Sequence, residues 1–223
     1  VVLPLLWLRL RVTADPREAF LRVQRAAGRV VRWAGCRIEV DHLDRLPAVG
    51  PLMLVSNHAS LADAAVLLAV LPLDARFVAN HAHARYPILG AAIRAASANI
   101  VDRASWRSRA DSGRAMVDAL ASGQSVLVFP EGTTADAEMM LPFRSGAFRA
   151  AARTGSPVVP IALRGTRAML PASGFWLSNA PIRITVLPAL TPSDATRAEI
   201  ARVRDGAAAA IRTVLDAHHS AAR

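Results

Sequence analysis

Leu52-Met53-Leu54-Val55-Ser56-Asn57-His58-Ala59-Ser60-Leu61-Ala62-Asp63 runs from an apolar strand through a polar turn into the mouth of an apolar helix, Leu61 to Val70. A short apolar run stopped by turn-forming side chains reads as a buried strand, and the helix behind it makes the pair a β-α unit. The same alternation recurs on both sides of it. Strands are expected at Arg37 to Val40, Arg76 to Ala79, Asn99 to Val101, Ser125 to Phe129, Pro157 to Leu163 and Ile182 to Leu187. Helices are expected at Ile88 to Ala96, Trp106 to Ala121, Gly146 to Arg153 and Ala195 to His218. Strands interleaved with Ala-rich helices predict an α/β fold, with a largely parallel central sheet of about seven strands flanked by helices. Sites in such sheets gather beyond the carboxyl ends of the strands. His58 follows one such end and Pro130-Glu131-Gly132 follows another.

Upstream lies a different kind of segment. Val1 to Leu8 is apolar but interrupted by Pro4 and followed by Arg9 and Arg11, too short to span a bilayer and without the small-residue cleavage site of a signal peptide. Asp15-Pro16 then supplies an N-cap and a first-turn proline to an amphipathic helix. In that helix Phe20, Leu21, Val23, Ala27, Val30 and Val31 recur at helical spacing between Arg17, Arg22, Arg25, Arg29 and Arg32. Two readings stay open for it: an anchor lying in a membrane interface, or a surface helix packed on the core. The expected division is an N-terminal membrane-interacting helical arm over 1–35 and one α/β domain over 36–223, with no internal repeat or low-complexity linker.

Charge narrows the partners. Of 223 residues, 27 are basic and 17 acidic, a net charge of +10, and every cation is Arg. That balance favours anionic partners. Zinc-finger spacing, basic helices and stacking aromatics are missing, so nucleic acid is not expected, whereas 53% apolar residues with one Tyr suit a lipid surface. The lone Cys36 excludes an intramolecular disulfide and reads as a small buried hydrophobe. His81 and His83 lack a third ligand at metal-site spacing, so no metal is expected. His218 and His219 fall in a C-terminus that carries no argument.

The chemistry sits in two loops. His58 and Asp63 pair an imidazole with a carboxylate that can fix its tautomer and stabilise the imidazolium, which is what a general base near pH 7 requires. Asn57, Ser60 and Asp63 are also common turn formers and caps, so a structural role remains open on these residues alone. Further on, Val126-Leu127-Val128-Phe129-Pro130-Glu131-Gly132-Thr133-Thr134 is a buried strand that stops at a proline, with a glycine that lets the backbone approach a ligand.

Taken together, Asn57-His58-x-Ser60-x-x-Asp63, Gly90 with Arg103, Phe129-Pro130-Glu131-Gly132-Thr133 and Val159-Pro160-Ile161-Ala162 resemble, in order and spacing, the four blocks of the glycerolipid (lysophospholipid) acyltransferase family, over about residues 37 to 190. The resemblance implies His58 and Asp63 as the catalytic pair. It implies substrate binding by Arg103, Glu131, Gly132 and Thr133. Asn57 and Ser60 support the pair, Ser60 as a helix cap rather than a nucleophile. A base of this kind can draw the proton from an alcohol as it attacks a thioester, with no acyl-enzyme intermediate, and a guanidinium such as Arg103 binds phosphate bidentately. Arg144-Ser145-Gly146-Ala147-Phe148 matches the tail of the third block.

The implied activity is transfer of a fatty acyl group from acyl carrier protein or coenzyme A thioester to an anionic lysolipid acceptor. No cofactor is expected beyond that co-substrate, and the location expected is the cytoplasmic face of the cell membrane, peripheral or monotopic. There are departures from the family pattern. Thr134 stands where many relatives carry Arg, Asn80 where many carry Lys, and the Gly-Thr-Thr loop is shared with a branch that acylates lyso-ornithine lipid. Rival expectations are a membrane-binding protein without catalysis and a thioesterase that activates water with the same pair.

Overall fold

The computed structural model of the chain describes residues 15–80, 97–101, 106–134, 140–171 and 176–221. In chain order it contains α1 (Pro16–Trp33), β1 (Ile38–Asp41), a 3₁₀ turn (Leu43–Arg45), β2 (Met53–Ser56), α2 (Ala62–Val70), β3 (Ala75–Asn80) and β4 (Ser97–Val101). Then come α3 (Trp106–Ala121), β5 (Ser125–Val128), α4 (Gly146–Thr154), β6 (Val158–Arg164), α5 (Thr166–Met169), β7 (Ile182–Val186) and α6 (Arg197–Ala221). The expected strands are all present within two residues of their bounds. The helix expected at Ile88 to Ala96 lies outside the described residues, while α5 and the 3₁₀ turn had no signal strong enough to be read from sequence.

One sheet of seven strands forms in the order β1-β7-β6-β2-β5-β3-β4. Its pairs are parallel except β6 with β7. The exception has a local cause. Between β6 and β7 the described chain holds only the four-residue α5, not the long crossover helix that a parallel return needs. β2 lies between β6 and β5, and all four of its residues are buried.

Alternation along β2 divides the core into two layers. Leu52 and Leu54 pack with Phe20, Val23, Val66 and Leu67 under α1 and α2, whereas Met53 and Val55 pack with Met116, Leu120, Phe148, Val203 and Ile211 under α3, α4 and α6. A fully buried side chain of this size contributes about 1.5–3 kcal/mol. The strand that leads to His58 is therefore held from both faces, and its exit point cannot drift.

The N-terminal helix shows where its apolar stripe goes. Asp15 caps it by accepting the Arg17 N–H at 2.9 Å, and Pro16 occupies the first turn, where no N–H is needed. Phe20, Val23, Ala27 and Val31 are buried in the core, and the Arg76 guanidinium lies over the Phe20 ring at 5.3 Å. Over Pro16–Trp33 the apolar stripe thus meets α2, and the Arg-bearing side and Trp33 face outward. Residues 1–14 of the expected arm lie outside the described residues. Cys36 is half-buried just beyond, its Sγ donating to the Ser178 carbonyl at 3.4 Å.

Candidate active site

Where β2 ends, the chain turns up at the rim of the sheet, and each side chain of the turn is tied down. Asn57 is buried and bonds twice to one residue of β6: its Nδ2 donates to the Leu163 carbonyl at 2.9 Å and its Oδ1 accepts the Leu163 N–H at 2.8 Å. Two bonds to one residue, through its N–H and its carbonyl, hold the turn against the neighbouring strand. The next residue is His58.

Asp63, in the first turn of α2, is fully buried, and its Oδ2 is the hub of the segment. It lies 2.8 Å from His58 Nδ1 and accepts the N–H groups of Ala59 at 2.7 Å and Ser60 at 2.9 Å. An oxygen that already accepts two backbone N–H groups acts as an acceptor toward the ring as well. An acceptor opposite Nδ1 places the ring proton on Nδ1, so the lone pair falls on Nε2. Nε2 has no protein partner among the described residues, and the imidazole is 11% exposed. Its ring stacks on Phe129, centroids 4.2 Å apart and planes 15° from parallel, which fixes the direction in which Nε2 points.

Ser60 is committed elsewhere. Its hydroxyl donates to the Leu170 carbonyl at 2.7 Å and accepts the Ala62 N–H at 3.1 Å, so it caps α2 and ties the turn to the segment after α5. The arrangement gives it the geometry of a support and not of a nucleophile aimed at solvent.

From β5, next to β2 in the sheet, Phe129 and Glu131 reach the same rim. Glu131 is 3% exposed, and both carboxylate oxygens are occupied by backbone amides: Oε1 accepts the His58 N–H at 2.7 Å and Oε2 accepts the Leu141 N–H at 2.7 Å. Burial pushes its carboxyl above the usual value, against the pull of those two bonds and of the nearby His58. Substrate binding was expected of Glu131 from the sequence; its carboxylate is turned inward and holds the His58 turn by its main chain. Gly132 follows with φ +80°, a conformation that suits glycine, and Thr133 is exposed at the tip of the loop.

His58, Asp63, Asn57, Ser60, Glu131, Gly132 and Thr133 are thus gathered at neighbouring strand ends. Arg103 lies outside the described residues, as do Gly90, His81 and His83. Sequence reasoning did not assign Phe129 its role as a stacking partner, nor Leu163 and Leu170 theirs as backbone anchors. An aromatic two residues before a glutamate at a strand end is a weak signal, and backbone anchors leave none. Among the described residues no group of His, Cys, Asp and Glu is placed to hold a metal ion.

Comparison with known proteins gives concordant results. A family model described as Acyltransferase matches residues 37–164. A chloroplastic 1-acyl-sn-glycerol-3-phosphate acyltransferase of Brassica napus is 33% identical over 152 residues, which is 67% of this chain and 44% of that protein. The beta form of the same enzyme from Homo sapiens is 28% identical over 183 residues, covering 80% of this chain and 65% of that protein. The chain spans roughly half the length of the curated relatives it matches. Among solved structures, the 1-acyl-sn-glycerophosphate acyltransferase from Thermotoga maritima superposes with a TM-score of 0.79 at 19% identity, over 97% of this chain and 88% of that one, a likeness of fold.

Proposed function

The chain belongs to the acyltransferase family, and on that premise we propose that it moves a fatty acyl group from an acyl thioester of coenzyme A or acyl carrier protein to the free hydroxyl of a lysophospholipid. The acceptor we propose is 1-acyl-sn-glycerol-3-phosphate, which would give phosphatidic acid; this is the substrate named for the relatives above. The observation that carries the reading is the 2.8 Å contact of His58 Nδ1 with Asp63 Oδ2, with Nε2 left without a partner among the described residues.

In the proposed reaction the acceptor hydroxyl donates to Nε2 and attacks the thioester carbonyl as its proton passes to the ring. Asp63 stabilises the imidazolium so formed. The tetrahedral intermediate then collapses: the carbon–sulfur bond breaks, the ester remains on the acceptor, and the thiolate takes the proton back from His58. No side chain is acylated. Phe129 keeps the ring in line during both proton transfers, and Glu131 holds the His58 peptide in place. For phosphate recognition we retain Arg103 as the sequence-derived candidate and place Gly132 and Thr133 at the acceptor side of the rim. Lyso-ornithine lipid is the second acceptor reading. It is favoured by Thr134, which lacks the cation many relatives carry there.

We place the protein on the cytoplasmic face of the cell membrane, held peripherally. No described helix is long and apolar enough to cross a bilayer, and the outward Arg side of α1 suits anionic headgroups. Thiol release by purified protein, followed with mixed lysolipid acceptors and both donors, tests the proposal, with products identified by mass spectrometry. Acylated lysophosphatidic acid is expected. Free fatty acid in the presence of acceptor would establish the thioesterase instead, and liposome binding without thiol release would establish a non-catalytic membrane protein.

A further inference from the structure

Arg144 is a charged group at this rim that the mechanism leaves unused. Its N–H bonds the Pro130 carbonyl at 2.9 Å, so the residue leading into α4 is stapled to the loop that leaves β5. This brings its side chain across Gly132. A Cβ built on Gly132 would lie 2.7 Å from Arg144 Nε and 2.9 Å from Cζ, so the flexible guanidinium would have to move aside. Glycine at 132 suits the φ of +80° and also leaves the guanidinium its seat.

Among the described residues the seated cation meets no counter-charge. The carboxylate beside it, Glu131, is buried and has both oxygens on backbone amides. Among the described residues Arg144 makes no ion pair and no side-chain hydrogen bond, and it is exposed. Arg204, which reaches the same turn by donating to Ser145 Oγ at 3.0 Å, is paired with Asp205 at 2.8 Å. Of these two arginines, only Arg144 has its N–H groups open. It also belongs to the loop whose preceding residue grips the His58 peptide, so a ligand held there stands next to the catalytic turn. Planar N–H donors in a fork match the oxygens of a phosphate.

We propose that Arg144, seated over Gly132, binds the phosphate of a substrate and supplies the cation that the Gly-Thr-Thr loop itself lacks. This rests on the acyltransferase reading. The phosphate is that of the lysolipid acceptor or that of the thioester donor, and kinetics on Arg144→Ala and Arg144→Lys tell them apart. With acceptor and donor varied separately, Arg144→Ala is expected to raise one KM by about ten- to a hundredfold, the scale of losing hydrogen bonds to a charged group, with kcat within about twofold. Arg144→Lys is expected between wild type and Ala. A rise in acceptor KM assigns the phosphate to the lysolipid, and a rise in donor KM assigns it to the thioester.

A second measurement needs no turnover: calorimetric titration of the resting protein with dodecyl phosphate, and with uncharged dodecyl maltoside as control. Dodecyl phosphate is expected to bind wild type more tightly than Arg144→Ala, with the maltoside unchanged. Equal KM values for both substrates together with equal dodecyl phosphate affinity would overturn the proposal. Loss of dodecyl phosphate binding in a protein that acylates no acceptor would leave Arg144 as the anion site and remove the acyltransferase reading.

Discussion

The turns that follow β2 and β5 leave neighbouring parallel strands at the same edge of the sheet, yet they are built in opposite ways. The β2 turn is closed on itself: Asp63 Oδ2 gathers a ring nitrogen and two amides from within six residues, and Asn57 and Ser60 tie the remainder to β6 and to the segment after α5. The β5 loop sends one buried carboxylate across to its neighbour and then opens, with Thr133 making no side-chain bond among the described residues and Arg144 laid over Gly132. On the proposed function the difference separates two duties. Proton transfer depends on tenths of an ångström and favours a turn locked by its own bonds, whereas admission of a headgroup favours an open loop.

Breaking the closed turn should have the largest effect. His58→Ala removes the proposed base and is expected to lower kcat/KM by about 10²–10⁴-fold with an unchanged melting temperature, read by thiol release and differential scanning fluorimetry. Retention of full rate would remove the catalytic assignment. Asp63→Asn keeps the shape but takes away the charge behind Nδ1, and a loss of about a hundredfold in kcat is expected, with smaller change in either KM. A loss confined to KM would mean that Asp63 shapes the pocket and does not steer the ring.

Glu131→Gln probes the hydrogen-bonded bridge between the two turns. Gln offers a single acceptor to two backbone N–H groups, so one of them is left unmatched, and about a tenfold loss in kcat is expected through a displaced His58. Stability gives an independent reading. Because burial raises the folded-state pKa of Glu131, the stability it contributes is complete below the ordinary carboxylate pKa and is lost as pH rises through the raised value. The melting temperature of wild type should therefore fall relative to that of Glu131→Gln as pH rises above the ordinary carboxylate range. Parallel melting curves over that rise would contradict the burial of its charge. The smallest effect is expected from Ser60→Ala: activity within about threefold, and a drop of about 1 kcal/mol, or about 2–4 °C, from the lost cap and the lost Leu170 bond. Abolished activity in that variant would make Ser60 a nucleophile after all and reverse the roles drawn here.

What could be read from sequence follows from the kind of contact involved. Strands buried on both faces announce themselves as apolar runs, which is why β2, β5 and β6 stand within a residue of their expected bounds. The antiparallel return of β7 was hidden, since direction is set by what lies between strands and the short α5 carries no amphipathic pattern. At the site, His58 and Asp63 are five positions apart across a strand-to-helix turn, close enough in sequence for pairing to be expected. Glu131 is the opposite case. It reaches a backbone amide 73 positions away, and an amide is common to nearly every residue, so the motif revealed its presence but not its direction. The helical arm was ambiguous for a related reason: a stripe of Phe20, Val23, Ala27 and Val31 fits a bilayer or a protein core equally, and only the position of α2 decides between them over Pro16–Trp33.

The paired hydrogen bonds between Asn57 and Leu163 have one more consequence. An amide side chain that gives to and takes from the main chain of the same residue copies a rung of sheet, so β6 is paired one step beyond the point where β2 has already stopped being a strand. Mechanical stiffness is thereby lent to a residue that needs freedom from no neighbour but its substrate. The Leu163 amide should consequently exchange its hydrogen as slowly as those in the middle of the sheet, and replacing Asn57 should make that amide the first at this edge to exchange quickly.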